Sequence, residues 1–283
     1  MMGTEDPNTS SNDQSIKSNH QMNNDDNDTE NWLRENFKES WITEFKDNGF
    51  LVINNLLNEK DELPSYIDIY EELLRSQEAI KHRNDLGSHS TSETQQHNDK
   101  VENICQIMWP SIYKEILLQG PAFKRLSKLV QRLLGDDLAF DFDMLINKFP
   151  NTGTSTPWHQ DESYWPDMPD KRAVSCWIAL DDATVDNGCM WFVKGSHLEP
   201  TLRPHQRVKE GHHARYTESC SESEGEPRPL TSGSCTLHHG RTLHYTRGNT
   251  TNTQRRAYIL NFRPASMVEW ERERGFDHGK TIR

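Results

Sequence analysis

Long apolar segments are missing from this chain, and apolar residues are scarce throughout it. Hydrophobic residues make up 33% of its 283 positions, against about 45–50% in typical globular domains on a scale that also counts glycine. No run approaches the roughly 20 apolar residues that a membrane-spanning helix requires. The polar N-terminus does not have the pattern of a signal peptide. We therefore expect no membrane span and a cytoplasmic location.

Paired cysteines and clustered basic residues are also missing. The five cysteines form no CxxC pair, and an odd number argues against both a disulfide framework and a zinc knuckle. The net charge is −12 with no basic stripe, whereas nucleic-acid binding depends on neutralising phosphates. The last three residues match no peroxisomal or endoplasmic-reticulum signal. We expect reduced thiols and no nucleic-acid partner, and the sequence gives no indication of oligomeric state.

Much of the apolar deficit lies in residues 1–30. This segment has one lysine against seven acidic residues, which gives it −6 of the chain's −12. A segment so polar cannot bury enough surface to offset the entropy lost on ordering. We predict a disordered acidic tail over 1–30, followed by a single domain over 31–283 that is long enough to form one core.

The first half of that domain has mainly helical patterns. Helical spacing of apolar residues predicts helices over 32–44, 61–79 and 121–134, with a short strand over 50–53 after an Asn48-Gly49 turn. The polar stretch 81–100 is interpreted as a solvated loop, including His82, His89 and His97. The helical part is thus predicted to extend to about residue 135.

From about residue 138 the apolar period changes to two. Alternating segments bounded by Gly, Pro, Asn and Asp predict strands over 138–149, 173–180, 188–193, 234–239 and 256–262, and residues 218–233 have loop composition. Short strands without intervening helices indicate an antiparallel sandwich or barrel. The predicted fold class is mainly β with N-terminal helices, and its β-barrel core spans about 138–265.

Two clusters of residues have the composition of a chemical site. On an extended segment His159 and Asp161 project from the same face, and they supply two ligands of the 2-His-1-carboxylate set that binds non-haem Fe(II). Taken alone, such a pair is more often a surface hydrogen-bonded pair. The second cluster, residues 238–262, contains three histidines and two adjacent arginines.

The arginines of the second cluster suit the recognition of a carboxylate. An arginine stays charged when buried and meets a carboxylate with two parallel hydrogen bonds. Either Arg255 or Arg256 could instead lie at a sheet edge with its head in water, and for Arg256 we favour that interpretation.

In order along the chain, the segments FKDNGFLVI, MLINKFPNTGTSTPWHQD, WIALDDATVDNGCMWFVKGSH, HHGRTLHYTRGN and RRAYILNFRP resemble the phytanoyl-CoA dioxygenase family of Fe(II)/2-oxoglutarate oxygenases. The resemblance runs from about residue 45 to about residue 280. It implies a double-stranded β-helix of the jelly-roll, cupin-like kind.

Residue by residue, the resemblance implies the components of an active site. The iron ligands fall on His159, Asp161 and His244. The C5 carboxylate of the cosubstrate 2-oxoglutarate would pair with Arg255. The hydroxyl of Thr246 would also contact the cosubstrate. Three further positions line the family's pocket: Met144, Gln160 and Trp177. Of the two remaining histidines in the second cluster, His239 would lie behind the ligands or in the core, and His238 would face solvent or a neighbouring strand.

The implied activity is that of a dioxygenase that uses Fe(II), 2-oxoglutarate and dioxygen, with ascorbate as a candidate reductant. It would hydroxylate a C–H bond of a small organic or acyl substrate and release succinate and CO2. Halogenating relatives carry Gly or Ala where this chain has Asp161, so we expect no halogenation. Desaturation or cyclisation of a secondary metabolite, and a catalytically idle 2-oxoglutarate- or metal-binding protein, remain as alternatives. Because residues 201–216 are rich in basic side chains, an acyl-CoA also remains a candidate substrate.

Overall fold

The computed structural model describes residues 27–86, 102–207 and 215–282. The chain divides into one unit over Met1–Lys38 and a second over Glu39–Arg283. In the first unit, residues 27–36 form helix α1. The predicted disordered tail is therefore too long at its end, because residues 27–30 belong to α1. Residues 1–26 of that tail lie outside the described residues.

The second unit holds most of the regular structure. Its helices in the described ranges are α2 (Ser40–Asn48), α3 (Leu63–Arg75), α4 (Pro121–Leu134) and α5 (Ala265–Glu273). Its strands there are β1 (Phe50–Ile53), β2 (Arg83–Asp85), β3 (Ile104–Met108), β4 (Leu138–Lys148), β5 (Thr156–His159), β6 (Val174–Ala179), β7 (Met190–Phe192), β8 (Gln206–Arg207), β9 (Arg215–Tyr216), β10 (Glu226–Arg228), β11 (Cys235–His239), β12 (His244–Thr246) and β13 (Arg255–Pro264).

The strands form two main antiparallel sheets that enclose the core. The larger has the order β1-β11-β6-β13-β4-β3-β2 and the smaller the order β10-β7-β12-β5, while β8 and β9 pair as a separate two-stranded sheet. One apolar cluster joins Phe50, Trp177 and Ile259 of the larger sheet to Trp158 and Phe192 of the smaller. This is the mainly β, jelly-roll architecture that was predicted, and that prediction is confirmed.

Two of the predicted helices form close to their expected bounds. Pro64 lies in the first turn of α3 and Pro121 opens α4, where a missing N–H costs no intrahelical hydrogen bond. Gly135 follows the last residue of α4 with a φ of 126°, a conformation that side chains disfavour. Most of the predicted apolar face of each helix is buried, while Ile69, Leu74 and Phe123 are partly buried.

The segment 32–44 was predicted as one helix, but α1 ends at residue 36 and α2 begins at Ser40. Gly49, predicted as part of a turn, ends α2 in the left-handed region with a φ of 79°, and its N–H donates to the Phe45 carbonyl. This αL termination turns the chain directly into β1.

Several short elements were not predicted. Strand β2 and the buried His82 fall inside the stretch interpreted as a solvated loop, and His82 Nδ1 lies 2.5 Å from the Tyr113 hydroxyl. His89 and His97 lie outside the described residues. Strand β10 falls in the predicted loop 218–233, and α5 was missed altogether. Two- to five-residue strands carry too few alternating positions for their period to be recognised.

Candidate metal centre

The two strands of the smaller sheet that carry the candidate histidines are neighbours. His159 is the last residue of β5 and His244 the first of β12, and the two residues are direct partners in the antiparallel register. Their ring centroids lie 4.1 Å apart. Asp161 follows two residues after His159, at the start of a short 3₁₀ turn. Strand pairing therefore brings together two segments that are distant in sequence.

The three side chains point their potential ligand atoms at one small volume. Asp161 Oδ1 lies 3.7 Å from His159 Nε2 and 3.4 Å from His244 Nε2, and all the ligand atoms of the three residues fall within 4.8 Å of one another. Separations of this size are those of atoms that share one ion at about 2.0–2.2 Å from each.

Backbone carbonyls set the orientation of both imidazoles. His159 Nδ1 lies 2.8 Å from the Pro157 carbonyl, and His244 Nδ1 lies 2.9 Å from the Thr242 carbonyl. A carbonyl only accepts, so each Nδ1 carries the proton and each Nε2 keeps its lone pair. Burial lowers the pKa of both histidines, which keeps them neutral and able to bind a metal.

Asp161 is held ionised although it lies in a protected site. Burial by itself raises the pKa of its carboxyl, but the surrounding histidines, among them His238 with its hydrogen bond to Oδ2, hold that pKa well below its ordinary value. The set of two neutral imidazoles and one carboxylate is the donor set of non-haem iron sites.

His238 is a site residue that sequence reasoning missed. It was expected to face solvent or a neighbouring strand, yet it is buried, and its Nε2 lies 3.3 Å from Asp161 Oδ2. The adjacent histidine, His239, lies on the opposite face of β11 and packs near the His197 ring. Burial lowers the pKa of His239 to about 3. The alternation of a strand indicates opposite faces for the two histidines, but not which of them faces inward.

Arg255 lies deep in the barrel with unused hydrogen-bonding capacity. It is 1% exposed, its guanidinium carbon is 5.1 Å from the Trp177 ring centre, and burial lowers its pKa to about 10. Its Nε and Nη1 have no hydrogen-bond partner within the described part of the chain, nor has the buried Thr246 hydroxyl. Buried donors are usually paired, so these atoms fit an anionic ligand.

Lys148 stands directly opposite Arg255 in the register of β4 and β13. It is fully buried, and its ammonium donates to the carbonyls of Thr154 at 2.9 Å and Arg247 at 2.8 Å. Burial first, and the nearby Arg255 second, hold its pKa well below the ordinary value. The inner end of the barrel therefore contains a second basic side chain, Lys148, for which the sequence indicated no role.

Arg256 differs from its prediction. Instead of placing its head in water, it is 9% exposed and pairs with Asp181 at 2.6 Å and with Glu71 at 2.9 Å. The alternation of β13 sends Arg255 inward and Arg256 to the opposite face, where α3 supplies the second carboxylate.

The remaining predicted pocket residues have different surroundings. Met144 is partly buried against the core cluster and its sulfur accepts a hydrogen bond from Gln106. Gln160 does not offer its amide to the metal cluster. Its Nε2 donates to the Arg241 carbonyl at 2.6 Å and its Oε1 accepts from the Arg203 N–H at 3.0 Å. Gln160, the residue after β5, thus links the segment that follows Leu198 to the strands that carry the candidate ligands.

Tyr164 and His205 lie beside the candidate metal centre. Tyr164 meets the His159 ring edge-on at 5.9 Å, and its hydroxyl accepts from the Arg215 N–H at 2.8 Å. His205 Nε2 accepts from the backbone N–H of residue 160 at 3.1 Å. Arg203, counted among the basic residues, is paired with Glu199 and Glu224. Lys209, His212 and His213 lie outside the described residues.

A separate cluster of potential ligands joins Asp141, Glu271 and His278. Arg263 already lies between these carboxylates, with Nε 2.7 Å from Asp141 Oδ2 and Nη1 2.8 Å from Glu271 Oε1. The guanidinium supplies the compensating charge. This cluster therefore ties α5 to β4 and β13, and we assign it a structural role.

The double-stranded β-helix and its two histidines and one carboxylate define the fold and donor set of the non-haem iron oxygenase class. Comparison with known proteins agrees with this. The pattern of the phytanoyl-CoA dioxygenase family matches residues 45–257. The chain belongs to the phytanoyl-CoA dioxygenase family.

The relatives differ in length from this chain. Phytanoyl-CoA dioxygenase domain-containing protein 1 of Danio rerio is 26% identical over 182 residues, which cover 62% of this chain and 54% of that protein. The peroxisomal phytanoyl-CoA dioxygenase of Rattus norvegicus is 28% identical over 168 residues, covering 58% and 48%. The chain thus spans about half the length of the curated relatives it matches.

Solved structures share the architecture. EvdO2 from Micromonospora carbonacea var. aurantiaca, complexed with 2-oxoglutarate, aligns with a TM-score of 0.67 at 27% identity over 81% of this chain and 91% of that one. The epimerase SnoN, in complex with Fe3+, alpha ketoglutarate and nogalamycin RO, aligns with a TM-score of 0.65 at 22% identity over 80% and 83%. The likeness to SnoN shows the fold alone.

In the described ranges no helix is long and apolar enough to cross a membrane.

Proposed function

We propose that the chain is an Fe(II)- and 2-oxoglutarate-dependent dioxygenase that hydroxylates a C–H bond of a small organic or acyl substrate and releases succinate and CO2. The observation that carries the proposal is the convergence of His159, Asp161 and His244 on one volume with both Nε2 lone pairs directed into it. Dioxygen is the proposed oxidant, and ascorbate the proposed reductant that keeps the iron ferrous.

His159, Asp161 and His244 would hold the iron from one side, so that the remaining coordination positions stay available to ligands. Bound iron supplies the redox chemistry with dioxygen that no side chain of the protein can supply. The protein contributes the placement of the ligands and the exclusion of water. Asp161 occupies the position that halogenating relatives leave vacant, which supports oxidation of the substrate without halide transfer.

Arg255 would bind the far carboxylate of 2-oxoglutarate. A buried guanidinium with two unpartnered nitrogens gains a charge-assisted pair of hydrogen bonds when a carboxylate arrives, and no acidic side chain among the described residues pairs with it. The Thr246 hydroxyl, also unpartnered, would donate to the same cosubstrate. The Trp177 ring, which lies over the guanidinium, would keep water from this end of the site.

The substrate would enter beside Tyr164 and the paired strands β8 and β9. Arg207 and Arg215 are direct cross-strand partners there, and like charges in this relation repel each other, a repulsion that a bound anion would relieve. This favours an anionic substrate, and it supports an acyl-CoA as one candidate. Arg203 adds little to that attraction because Glu199 and Glu224 neutralise it.

Anaerobic titration with Fe(II) and then 2-oxoglutarate tests the proposal. A chelate of 2-oxoglutarate on ferrous iron has a weak visible charge-transfer band, and we expect this band in the wild-type protein and its loss in Asp161→Ala. Circular dichroism of the variant controls for folding. Absence of the band in folded wild-type protein would instead favour an idle binding protein.

The type of oxidation is tested separately, with candidate substrates. A product that gains one oxygen atom supports hydroxylation, whereas succinate release with a desaturated or cyclised product supports the alternative chemistry. Location in the cytoplasm stays a prediction, which imaging of the tagged full chain would check.

A further inference from the structure

Three polar side chains form a row across the inner face of the larger sheet. Ser175 on β6 is the register partner of His238 on β11 and of Asn261 on β13. Directly paired residues in antiparallel strands place their side chains on the same face, and all three are buried. The row faces Asp161, which lies in the 3₁₀ turn directly after strand β5 of the smaller sheet.

The two oxygens of Asp161 meet different surroundings. Oδ1 faces the Nε2 atoms of His159 and His244, at 3.7 and 3.4 Å. Oδ2 faces the row, with Ser175 Oγ at 2.6 Å and His238 Nε2 at 3.3 Å. One oxygen is therefore directed at the metal volume, and the other is engaged by hydrogen-bond donors.

Proton positions in the row follow from its unpartnered atoms. His238 Nδ1 is buried with no partner among the described residues, so the tautomer with its N–H there would have an unsatisfied donor, whereas the tautomer with its N–H at Nε2 directs it at Asp161. Ser175 Oγ lies 2.6 Å from Asn261 Oδ1, while Asn261 Nδ2 has no partner in the same ranges. If Oδ1 and Nδ2 of Asn261 are exchanged, the Asn261 amide donates to Ser175 Oγ. The Ser175 hydroxyl is then available to donate to Asp161 Oδ2.

We propose that His238 is a positioning residue that, together with Ser175, holds Asp161 as a ligand through Oδ1 alone. This inference rests on the proposed function. A carboxylate whose Oδ2 was released could rotate and bind the metal through both oxygens. It would then take a position that 2-oxoglutarate or dioxygen needs, because an octahedral ion with three single-atom protein ligands has three positions left.

The contrasting interpretation is that His238 only fills space. Its ring lies 5.3 Å from the Phe192 ring and 4.4 Å from the His244 ring, contacts that a phenyl group would also make. The two interpretations differ in one respect, since only the positioning role requires an N–H directed at Asp161. Substitutions that keep the volume and change the donor separate them.

Cobalt(II) reports on such a site by its visible absorption and does not require turnover. The test compares full-length wild-type protein with His238→Phe and His238→Met, which lack the donor, and with His238→Gln, whose amide nitrogen reaches a similar position. His239→Phe, a change in the adjacent histidine on the opposite face, is the matched control. Each protein is titrated with Co(II), then with 2-oxoglutarate, and the absorption spectrum and both dissociation constants are measured.

We expect the donor-free variants to bind Co(II) about 10–100-fold more weakly, the usual effect of losing a partner of a metal ligand. We also expect an altered spectrum and weaker binding of 2-oxoglutarate. His238→Gln and His239→Phe should stay close to wild type. Wild-type constants and spectra in either folded donor-free variant would overturn the inference, as would equal losses in His238→Gln. If wild-type protein binds no Co(II), it is the proposed function that fails.

Discussion

His159 and His244 are direct partners across β5 and β12, with ring centroids 4.1 Å apart. The register of the smaller sheet thus places two ligand candidates side by side, and the backbone carbonyl two residues before each ring fixes which nitrogen is available. Strand register therefore places the two histidines of the centre, whereas Asp161 lies in the 3₁₀ turn that follows β5.

Removing either imidazole should abolish iron binding without unfolding the protein. In His159→Ala or His244→Ala only two of the three ligand groups remain, while the Asp161 carboxylate keeps its contacts with Ser175 Oγ and His238 Nε2. Iron per chain, measured after anaerobic loading and desalting, should fall from about one towards zero. His239→Ala, which alters a histidine outside the cluster, should retain iron. Full iron occupancy in His159→Ala would refute the ligand assignment.

Arg255→Ala should raise the 2-oxoglutarate concentration needed for half-saturation while iron stays bound. Loss of a charge-assisted pair costs about 1.5–3 kcal/mol, which corresponds to a weakening of roughly ten- to a hundredfold. Titration of the iron-loaded protein measures the change.

The adjacent arginine supplies the matched control for that experiment. Arg256 is paired with Asp181 and Glu71, so Arg256→Ala should lower the melting temperature and leave 2-oxoglutarate binding unchanged. The opposite pattern, with binding lost in Arg256→Ala and retained in Arg255→Ala, would show that the two roles are exchanged.

Asp143 should make the stability of the protein pH-dependent. Burial raises the pKa of its carboxyl from 3.8 to about 7, so between these values the folded state holds a proton that the unfolded chain has released. The free energy of unfolding therefore falls as the pH rises through this window.

Asp143→Asn tests that dependence. An amide can accept from the Ser111 N–H and the Tyr258 hydroxyl and donate to Ser111 Oγ, the three atoms that the carboxyl contacts, and it does not titrate. Urea unfolding at several pH values should show a smaller decline in the variant. An unchanged decline would show that other groups cause it.

The cluster around Arg263 should contribute strongly to stability. Asp141→Ala leaves a buried guanidinium with one of its two carboxylate partners, and breaking a buried ion pair from one side costs about 3–5 kcal/mol. Urea unfolding measures this loss. Asp167→Ala, which removes an exposed partner of Lys171, should change the unfolding free energy little. Equal effects of the two substitutions would contradict the structural role given to the cluster.

The sequence by itself determined the class of fold and the identity of the ligand candidates. A period of two over 138–149 and 256–262 predicted the long strands β4 and β13, and Pro121 and Gly135 delimited α4, because these signals depend on a residue and its near neighbours. The ordered motifs around His159 and His244 carried the family resemblance, which supplied the ligand set that spacing alone had left open.

Only the tertiary structure decided which member of each adjacent pair faces the site. Alternation places His238 and His239, and likewise Arg255 and Arg256, on opposite faces, but the sequence does not say which face is inward. That choice depends on what the neighbouring strands and helices present: Ser175 and Asp161 for His238, and Glu71 of α3 for Arg256. These partners are remote in the chain, and packing of the sheets brings them together.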